Sequence, residues 1–375
     1  MANPRVLFIS APIGSGHTRA AQAVQLAMQE LRPDIDTNVA NIFDFFSPFL
    51  GKIILQSYLK VLDIFPQVYG LLYGWGNNNA KALALSKSIN GFLAGRMQQY
   101  IQAYQPSVIV CTHATPAGLV AYLRGKKMLN IPAVAVVTDY IVHRLWVHPE
   151  IDYYFVASEE MRDYLANQGI DYSHSKAAGI PVDCAFSALP DKQRTCAAMG
   201  LSPDRKTLLI MGGGAGVLPM EELVTACDQL DVPLQMLIVT GSNKSMYKKL
   251  QTLQSSLRQP SQIFGYVNNI HELMTTADIL ISKPGGMTST EALCSGLPMI
   301  IYRPIPGQEE ANTNYLVESH AALRADSTSE LQSIIKNLLI VHSDQLAFLR
   351  QHASSLGRSA AAYDIASCIF SHFPS

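Results

Sequence analysis

The sequence predicts an α/β protein with two domains, each built on a parallel β-sheet that is covered by helices. Three observations support this prediction. The chain repeats a pattern of short apolar run, turn and longer helical stretch, which is typical of parallel sheets. The pattern occurs in two series, which begin at residues 6–10 and 207–211, and a glycine-containing turn follows each first run. The length of 375 residues also exceeds the usual size of one domain.

The first series begins with a strand at residues 6–10 and a helix near His17. That helix carries Ala20, Val24 and Met28 at helical spacing. Further buried strands are predicted at residues 108–112, 133–138 and 153–157. Polar residues follow each of them, at the edge where parallel sheets bind ligands.

The second series predicts strands at residues 207–211, 235–240, 262–264, 278–282 and 298–302. Residues 185–206 are polar and contain Pro190 and Pro203, which indicates a linker. We therefore expect domains at residues 1–190 and 191–375, with a last helix at about 359–370 that packs back onto the first domain. The two halves are typical of two Rossmann-like domains that face a cleft.

Composition excludes several classes of protein. Hydrophobic residues make up 48% and charged residues 15%, which favours large buried sheets over disorder. The net charge of -1 provides no general attraction to nucleic acid, so we predict no nucleic-acid partner. The six cysteines form no C-x-x-C pair, and the histidines lack zinc-binding spacing, which favours a reducing compartment without disulfides or a metal site.

Membrane contact is expected to be local. The first apolar run is too short for a signal peptide, and no run of 18 apolar residues occurs. Residues 41–79 contain nine aromatic side chains and are either a buried helical hairpin interrupted by Pro66 or a segment that inserts into the headgroup region. The candidate acceptor and membrane residues there are Phe45, Phe46, Phe49, Tyr58, Phe65, Tyr69, Tyr73 and Trp75.

The first chemical motif is the turn Gly14-Ser15-Gly16-His17. Arg19 stands where a dinucleotide fingerprint needs glycine or alanine, and His17 stands where a P-loop needs lysine. An imidazole at a helix N-terminus has its charged form disfavoured, so it is suited to accept a proton as a general base. A capping or packing histidine is the alternative interpretation.

Two further glycine loops follow strands of the second series. The loop at residues 212–216, with Gly213 and Gly214, either allows a ligand to approach closely or is a plain tight turn. The loop at residues 281–292 is more specific. Its N–H groups at Gly286, Met287 and Thr288 suit a diphosphate, and Glu291 suits a ribose diol. A capping box with Thr288 as the cap would explain the hydroxyl and the carboxylate but not the paired glycines.

The fourth motif, residues 304–312, is dense in amide and carboxylate groups. Gln308 and Glu309 are therefore candidates to bind sugar hydroxyls. Taken alone, the segment is also compatible with an ordinary surface loop.

Several motifs together resemble one known family. GSGH, VVTDYIVHRLWVHP, MGGGAG, FGYVNNIHELM, SKPGGMTSTEALCSGLP and PGQEEANTNYL occur in this order between residue 6 and about residue 323. They resemble the diacylglycerol glycosyltransferases, which comprise plant-type monogalactosyldiacylglycerol synthases and bacterial diglucosyldiacylglycerol-forming relatives. These enzymes are similar to the transferase that adds N-acetylglucosamine to the lipid precursor of peptidoglycan.

The resemblance implies the GT-B fold, with the donor bound mainly by the C-terminal domain and the lipid by the N-terminal one. It also implies inversion at the anomeric carbon and no required metal or cofactor. Plant members carry three glycines before the histidine, whereas this chain has Gly14-Ser15-Gly16. That difference keeps the histidine but leaves the donor sugar open.

The family's functional positions are carried over by motif. His17 matches the candidate catalytic base. Asp139 is not part of this carry-over, but it follows a predicted strand of the N-terminal domain and is expected to orient the histidine or the acceptor. The donor-binding set implied by the motifs consists of Gly16, Gly213, Gly214, Phe264, Val267, Gly285, Gly286, Met287, Thr288, Glu291, Gln308 and Glu309. Within that set, Gly285, Gly286 and Thr288 fall on the diphosphate loop, Phe264 to Val267 on the uracil turn, and Gln308 with Glu309 on the donor sugar.

The expected function is transfer of glucose or galactose from a UDP-sugar to the hydroxyl of 1,2-diacylglycerol, which gives a β-glycosyl membrane lipid. The expected location is the cytoplasm, peripherally at the inner face of the cell membrane. Two alternatives stay open: a transferase of the same fold that acts on a polyprenyl-linked or soluble acceptor, and a non-catalytic UDP-sugar sensor that docks on the membrane. The number of sugars added and the oligomeric state are also open.

Overall fold

The computed structural model describes residues 4–11, 15–45, 94–213 and 218–373. The chain divides into two compact units. The first unit consists of Met1–Cys184, Ile305–Gln308 and Ala360–Ser375, and the second consists of Ala185–Pro304 and Glu309–Ser359.

The first unit contains a six-stranded parallel sheet in the order β2-β1-β3-β4-β5-β6. Its strands are β1 Arg5–Ser10, β2 Asp36–Asn41, β3 Val108–Cys111, β4 Ala133–Val136, β5 Tyr153–Val156 and β6 Ser175–Ala177. The helices between them are α1 Gly16–Leu31, a helical segment over residues 94–104, α2 Ala114–Gly125 and α3 Glu159–Asn167. Short 3-10 turns lie at Ile42–Phe45, Arg144–Trp146, Tyr172–His174 and Cys184–Ser187.

Both faces of this sheet are buried, as the apolar strands predict. Along β1, Leu7 and Ile9 contribute to one apolar cluster, whereas Val6 and Phe8 contribute to another. Alternate residues of a strand point to opposite faces, so the two clusters lie on the two sides of the sheet.

The second unit repeats this architecture with the order β12-β11-β10-β7-β8-β9, again parallel. Its strands are β7 Lys206–Met211, β8 Leu234–Val239, β9 Ser261–Phe264, β10 Ile279–Ser282, β11 Met299–Tyr302 and β12 Ala322–Ala325. Its helices are α4 Lys192–Ala198, α5 Met220–Asp228, α6 Lys244–Gln254, α7 Ile270–Thr276, α8 Gly286–Cys294, α9 Gln308–Glu318, α10 Thr328–Lys336 and α11 Ser343–Leu356. A π-helical turn follows α10 at Asn337–Val341.

A last helix, α12 (Ala361–His372), returns to the first unit. Its buried side chains Ala362, Ile365, Ala366 and Ile369 pack into the same cluster as Val24 and Met28 of α1. Among the described residues, no helix is long and apolar enough to cross a bilayer.

Two sequence expectations need correction. The polar segment at residues 185–206 is not only a linker, because it contains α4, whose N-terminus is capped where Asp191 Oδ1 accepts from Arg194 N at 2.9 Å. Three strands, β2, β6 and β12, were not predicted. All three lie at edges of the sheets and carry polar or small residues, so they lack the continuous apolar run that marks a buried strand.

Candidate active site

The first unit brings His17 to the point where its strand order reverses. The chain leaves β1 for β2 on one side and later places β3 on the other, so the carboxyl ends of β1 and β3 flank the reversal. Ligands of open parallel sheets bind at such a position. His17 is the second residue of α1, and His113 follows β3 and caps α2. Their rings meet edge to face, with centroids 4.6 Å apart.

Thr138 contacts His17 from the loop after β4. His17 Nδ1 and Thr138 Oγ1 lie 2.6 Å apart, and Thr138 Oγ1 donates a hydrogen bond of 3.4 Å to the Thr112 carbonyl oxygen. Thr138 and Asp139 are both buried, with 4% and 3% of their surface exposed. The loops after β1, β3 and β4 therefore meet at one imidazole.

Electrostatics keeps His17 neutral near pH 7. Burial lowers the pKa of His17 below its ordinary value of 6.5, although the negative charge of Asp139 and a hydrogen bond to the Thr112 backbone raise it partly back. A neutral imidazole can accept a proton, and a nearby carboxylate stabilises the imidazolium that results. The surroundings of His17 therefore suit a general base.

Two other histidines belong to this cluster, and sequence reasoning did not select them. Burial holds the pKa of His113 well below 6.5, and burial lowers the pKa of His143 to about 4 against the opposing effect of Asp139. His113 Nδ1 accepts a hydrogen bond of 3.1 Å from Thr115 N, so this nitrogen carries no proton. Single histidines after strands have no recognisable spacing, and only the order of the strands brings them together.

Asp139 is also hydrogen-bonded to Gln308. The segment Ile305–Gln308 groups with the first unit, and within it Gln308 Nε2 donates a hydrogen bond to Asp139 Oδ1. Gly16 is the first residue of α1 and directly precedes His17.

The predicted acceptor and membrane residues mostly lie outside the described residues. Phe46, Phe49, Tyr58, Phe65, Tyr69, Tyr73 and Trp75 belong to this group. Phe45 is described and is buried, with 5% of its surface exposed, in the core of the first unit. Its ring packs edge to face against Tyr100 at 5.2 Å, so the structure gives Phe45 a packing role and no bilayer contact.

In the second unit, the strand order reverses between β7 and β10, and a glycine loop follows each of these strands. Ser282 Oγ donates a hydrogen bond of 3.0 Å to the Met211 carbonyl oxygen and joins the two strand ends. Gly213 adopts a φ of 71°, which glycine tolerates best. Gly214 lies outside the described residues.

The loop after β10 leads into the N-terminus of a helix. Helix α8 begins at Gly286, Gly285 is its cap residue, and no side chain caps it. The capping box with Thr288 as the cap is therefore wrong. The first N–H groups of an α-helix have no partner within the helix and carry the positive end of its dipole. Gly286, Met287 and Thr288 thus present N–H groups suited to an anion.

The glycine at position 285 is not required by the fold. Its φ is -65°, an ordinary value for any residue, and a Cβ built there would meet no atom within 4 Å. Open space beside a glycine at a helix N-terminus is what a closely bound phosphate group needs.

The fourth motif, residues 304–312, contacts this loop. Asn312 Nδ2 of α9 donates a hydrogen bond of 3.0 Å to the Pro284 carbonyl oxygen. Lys283 Nζ lies 3.7 Å from Glu309 Oε2 and also donates to the Arg303 carbonyl oxygen. Burial lowers the pKa of Lys283, and Glu309 opposes that shift. The structure thus places Glu309 beside the residues that precede α8.

Three other predicted donor residues occupy different surroundings. Glu291 lies on α8 with no exposed surface, so its contact with a ribose stays a prediction. Phe264 ends β9, and its carbonyl oxygen accepts hydrogen bonds from Thr240 N at 3.0 Å and Thr240 Oγ1 at 3.1 Å. The next residues turn outward, with Tyr266 63% exposed and Val267 partly buried.

Comparisons with known proteins match both units. Residues 17–182 match the family described as monogalactosyldiacylglycerol (MGDG) synthase. Residues 207–367 match the glycosyltransferase family 28 C-terminal domain.

Solved structures of low sequence identity share the fold. The crystal structure of Acinetobacter baumannii MurG has a TM-score of 0.64 at 15% identity and covers 98% of this chain and 99% of its own. Neisseria meningitidis UDP-GlcNAc 2-epimerase, bound to UDP-GlcNAc, has a TM-score of 0.61 at 16% identity and covers 98% of this chain and 100% of its own. These likenesses, with the two parallel sheets, show the GT-B fold.

Curated relatives extend over nearly the full length. A processive diacylglycerol beta-glucosyltransferase of Bacillus pumilus (strain SAFR-032) is 31% identical over 359 residues, covering 94% of this chain and 91% of its own length. The enzyme of the same name from Bacillus subtilis (strain 168) is 32% identical over 347 residues, covering 90% and 87%. The chain therefore belongs to the diacylglycerol glycosyltransferase family.

Proposed function

We propose that the protein transfers a hexosyl group from a UDP-sugar to the hydroxyl of 1,2-diacylglycerol and inverts the anomeric carbon. The product is a β-glycosyl diacylglycerol. The observation that carries this proposal is His17, a neutral imidazole at the strand-order reversal of the first unit, in a chain whose relatives are named diacylglycerol beta-glucosyltransferases. Their name favours UDP-glucose over UDP-galactose as the donor.

The reaction is a single displacement. His17 takes the proton of the acceptor hydroxyl as the oxygen attacks the anomeric carbon. The bond from that carbon to UDP breaks, and the leaving diphosphate gains negative charge. The N–H groups of Gly286, Met287 and Thr288 stabilise this charge, because they are held in place before the reaction begins.

Each domain takes one substrate in this proposal. Residues 191–375 bind the UDP-sugar, with the uracil at Phe264 to Val267, the ribose at Glu291 and the hexose at Gln308 and Glu309. Gly213 and Gly214 line the approach to the diphosphate. Residues 1–190 hold the lipid next to His17, and Asp139 stabilises the imidazolium, which is consistent with its effect on the pKa of His17.

The aromatic side chains of residues 46–75 make contact with the membrane in this proposal. A diacylglycerol lies in the bilayer, so an enzyme that uses it as acceptor must reach it at the membrane. We infer peripheral association with the cytoplasmic face of the cell membrane, where UDP-sugars are available.

The test uses vesicles that contain diacylglycerol, UDP-glucose or UDP-galactose, and identification of the product by mass and linkage. We expect a β-hexosyl lipid from the wild type, and at least about a hundredfold loss of turnover for His17→Ala, in line with the usual contribution of a general base. UDP binding is expected to stay within about twofold, because the donor loops belong to the second unit.

Three outcomes contradict the proposal. Near-normal turnover of His17→Ala would remove the catalytic assignment. Transfer only to polyprenyl-linked or soluble acceptors would change the acceptor, and saturable UDP binding without UDP release in the presence of lipid would indicate a sensor.

A further inference from the structure

The hydrogen bonds around Thr138 determine which nitrogen of His17 carries a proton. Thr138 Oγ1 is 3.4 Å from the Thr112 carbonyl oxygen, which can only accept, so the hydroxyl proton points toward it. The same oxygen then offers only lone pairs to His17 Nδ1, which lies 2.6 Å away. With the hydroxyl proton directed to the Thr112 carbonyl oxygen, this contact is a hydrogen bond only when Nδ1 carries a proton.

We propose that Thr138 is a positioning residue that fixes His17 in the tautomer with a proton on Nδ1, so that Nε2 is the base. This inference rests on the proposed transferase function. It adds a residue that does not touch the substrate but decides whether the base can act, because an imidazole protonated on Nε2 cannot accept the acceptor's proton there.

The proton and electron balance is simple. The acceptor O–H bond breaks and its proton moves to Nε2, while the oxygen forms a bond to the anomeric carbon and the bond to UDP breaks. His17 becomes an imidazolium with protons on both nitrogens. Thr138 Oγ1 still accepts from Nδ1 in this state, so the hydrogen bond is kept throughout the step.

The neighbouring groups support this arrangement. Asp139, His113 and His143 are the titratable residues whose charges act on His17 or respond to it. His113 uses its own Nδ1 to accept from Thr115 N, and burial disfavours the charged form of both His113 and His143. Asp139 is the carboxylate that raises the pKa of His17, and Thr138 supplies the direct acceptor.

The decisive variants are Thr138→Val, which keeps the shape and removes the hydroxyl, and Thr138→Ser, which keeps the hydroxyl. We expect Thr138→Val to lower kcat by about ten- to a hundredfold, with the KM for the UDP-sugar within about twofold, because tautomer control is part of base catalysis. Thr138→Ser should retain kcat within about threefold. A kcat for Thr138→Val within twofold of the wild type would overturn the proposal.

A matched control separates positioning from stability. Thr276 is also fully buried, and its Oγ1 donates to the Leu273 carbonyl oxygen at 2.8 Å, but it lies on α7 of the second unit. Thr276→Val removes a buried hydroxyl of the same type. We expect it to alter thermal stability about as much as Thr138→Val and to leave kcat within twofold. A loss of kcat equal to that of Thr138→Val would indicate a purely structural effect.

Nitrogen NMR gives a readout that does not depend on activity. In histidine labelled with 15N, the two ring nitrogens have different shifts when protonated or not, and His17→Gln identifies the signals. We expect the wild type at neutral pH to carry the proton on Nδ1, and Thr138→Val to lose this preference. A wild type protonated on Nε2 would overturn the inference. If the wild type shows the Nδ1 proton but transfers no sugar, only the proposed function fails.

Discussion

His143 is a buried histidine, and protonating it destabilises the first unit. Its pKa is lowered to about 4, chiefly by burial and against the effect of Asp139, whereas an unfolded chain binds a proton near 6.5. Between these values the unfolded state binds more protons than the folded one, so stability falls as the pH falls. Above pH 6.5 His143 is neutral in both states and costs no stability. The stability lost to its protonation in the unfolded chain then grows progressively as the pH falls to about 4.

His143→Gln should therefore reduce the acid sensitivity of the fold. Each pKa unit corresponds to about 1.4 kcal/mol, so the difference at pH 4 is at most roughly 3 kcal/mol. We expect the melting temperature of the variant to fall less than that of the wild type between pH 6.5 and 4, as measured by calorimetry. His174→Gln is the control, because His174 is exposed. Parallel pH profiles for wild type and His143→Gln would contradict the assignment.

At the residue scale, the sequence was informative only where a motif surrounds the residue. His17 stands out because a glycine turn and a helix start place it at the end of a strand. His113 and His143 do not, since each is a single histidine in an apolar or aromatic context. Phe45 shows the reverse: an aromatic-rich segment made it a membrane candidate, but its ring lies in the core next to Tyr100.

At the element scale, the start of α8 joins a strand, two glycines and a helix dipole. Gly285→Ala tests whether the space beside this turn belongs to a ligand. The fold should tolerate the change, because an added Cβ meets no atom within 4 Å and φ is -65°. A poorer cap and a less flexible unfolded chain have opposite effects that cancel to within about 1 kcal/mol. We expect UDP affinity, measured by calorimetric titration, to fall at least about tenfold.

Gly357→Ala is the matched control for that experiment. Its Cβ would lie 2.6 Å from the Leu293 carbonyl oxygen, which is backbone and cannot easily move. We expect a loss of about 1–3 kcal/mol in stability, as for other overpacked sites, with UDP affinity retained in the folded protein. Retained affinity in Gly285→Ala, or lost affinity only in Gly357→Ala, would contradict a phosphate site at the start of α8.

Strands that are buried in the centre of a sheet were easier to predict from the sequence than strands at its edges. The central strands β1, β3, β4, β7, β8 and β10 are continuous apolar runs, and each prediction falls within two residues of the observed bounds. Three of the four edge strands, β2, β6 and β12, were missed, because a strand that is hydrogen-bonded on one side only keeps polar residues such as Asp36 and Lys176. The cap that begins α4 at Asp191 was also present in the sequence, but Pro190 next to it favoured a linker.

At the scale of the whole molecule, the chain passes from the first unit to the second after Cys184, returns briefly at Ile305–Gln308 and returns finally at Ala360. Helix α12 then completes a core that it shares with α1, whose residues lie more than 300 positions earlier in the chain. Apolar composition suggested that the last helix packs back in this way. The order of the strands could not be predicted from the sequence, because hydrophobic periodicity identifies strands but does not indicate which of them are neighbours. That order is what brings the loops after β1, β3 and β4 together at His17.

The return of α12 makes the stability of the first unit depend on the far end of the sequence. Ile365 is fully buried against α1, and Ile365→Ala should lower the stability of the first unit by about 2–5 kcal/mol. Tryptophan fluorescence reports on this unit alone, because Trp75 and Trp146 both precede residue 185. We expect the urea midpoint by tryptophan fluorescence to fall, while UDP affinity stays within about twofold.

Leu331→Ala provides the mirror-image variant. Leu331 is fully buried in the core of the second unit, on α10, so its truncation should cost a similar free energy there. Leu331→Ala should lower the melting temperature measured with UDP present. It should change the urea midpoint by tryptophan fluorescence much less. If Ile365→Ala left the tryptophan midpoint unchanged, or if Leu331→Ala lowered it equally, α12 would not be the helix that completes the first core. Opposite selectivity of the two variants would show that the two units have separately stabilised cores.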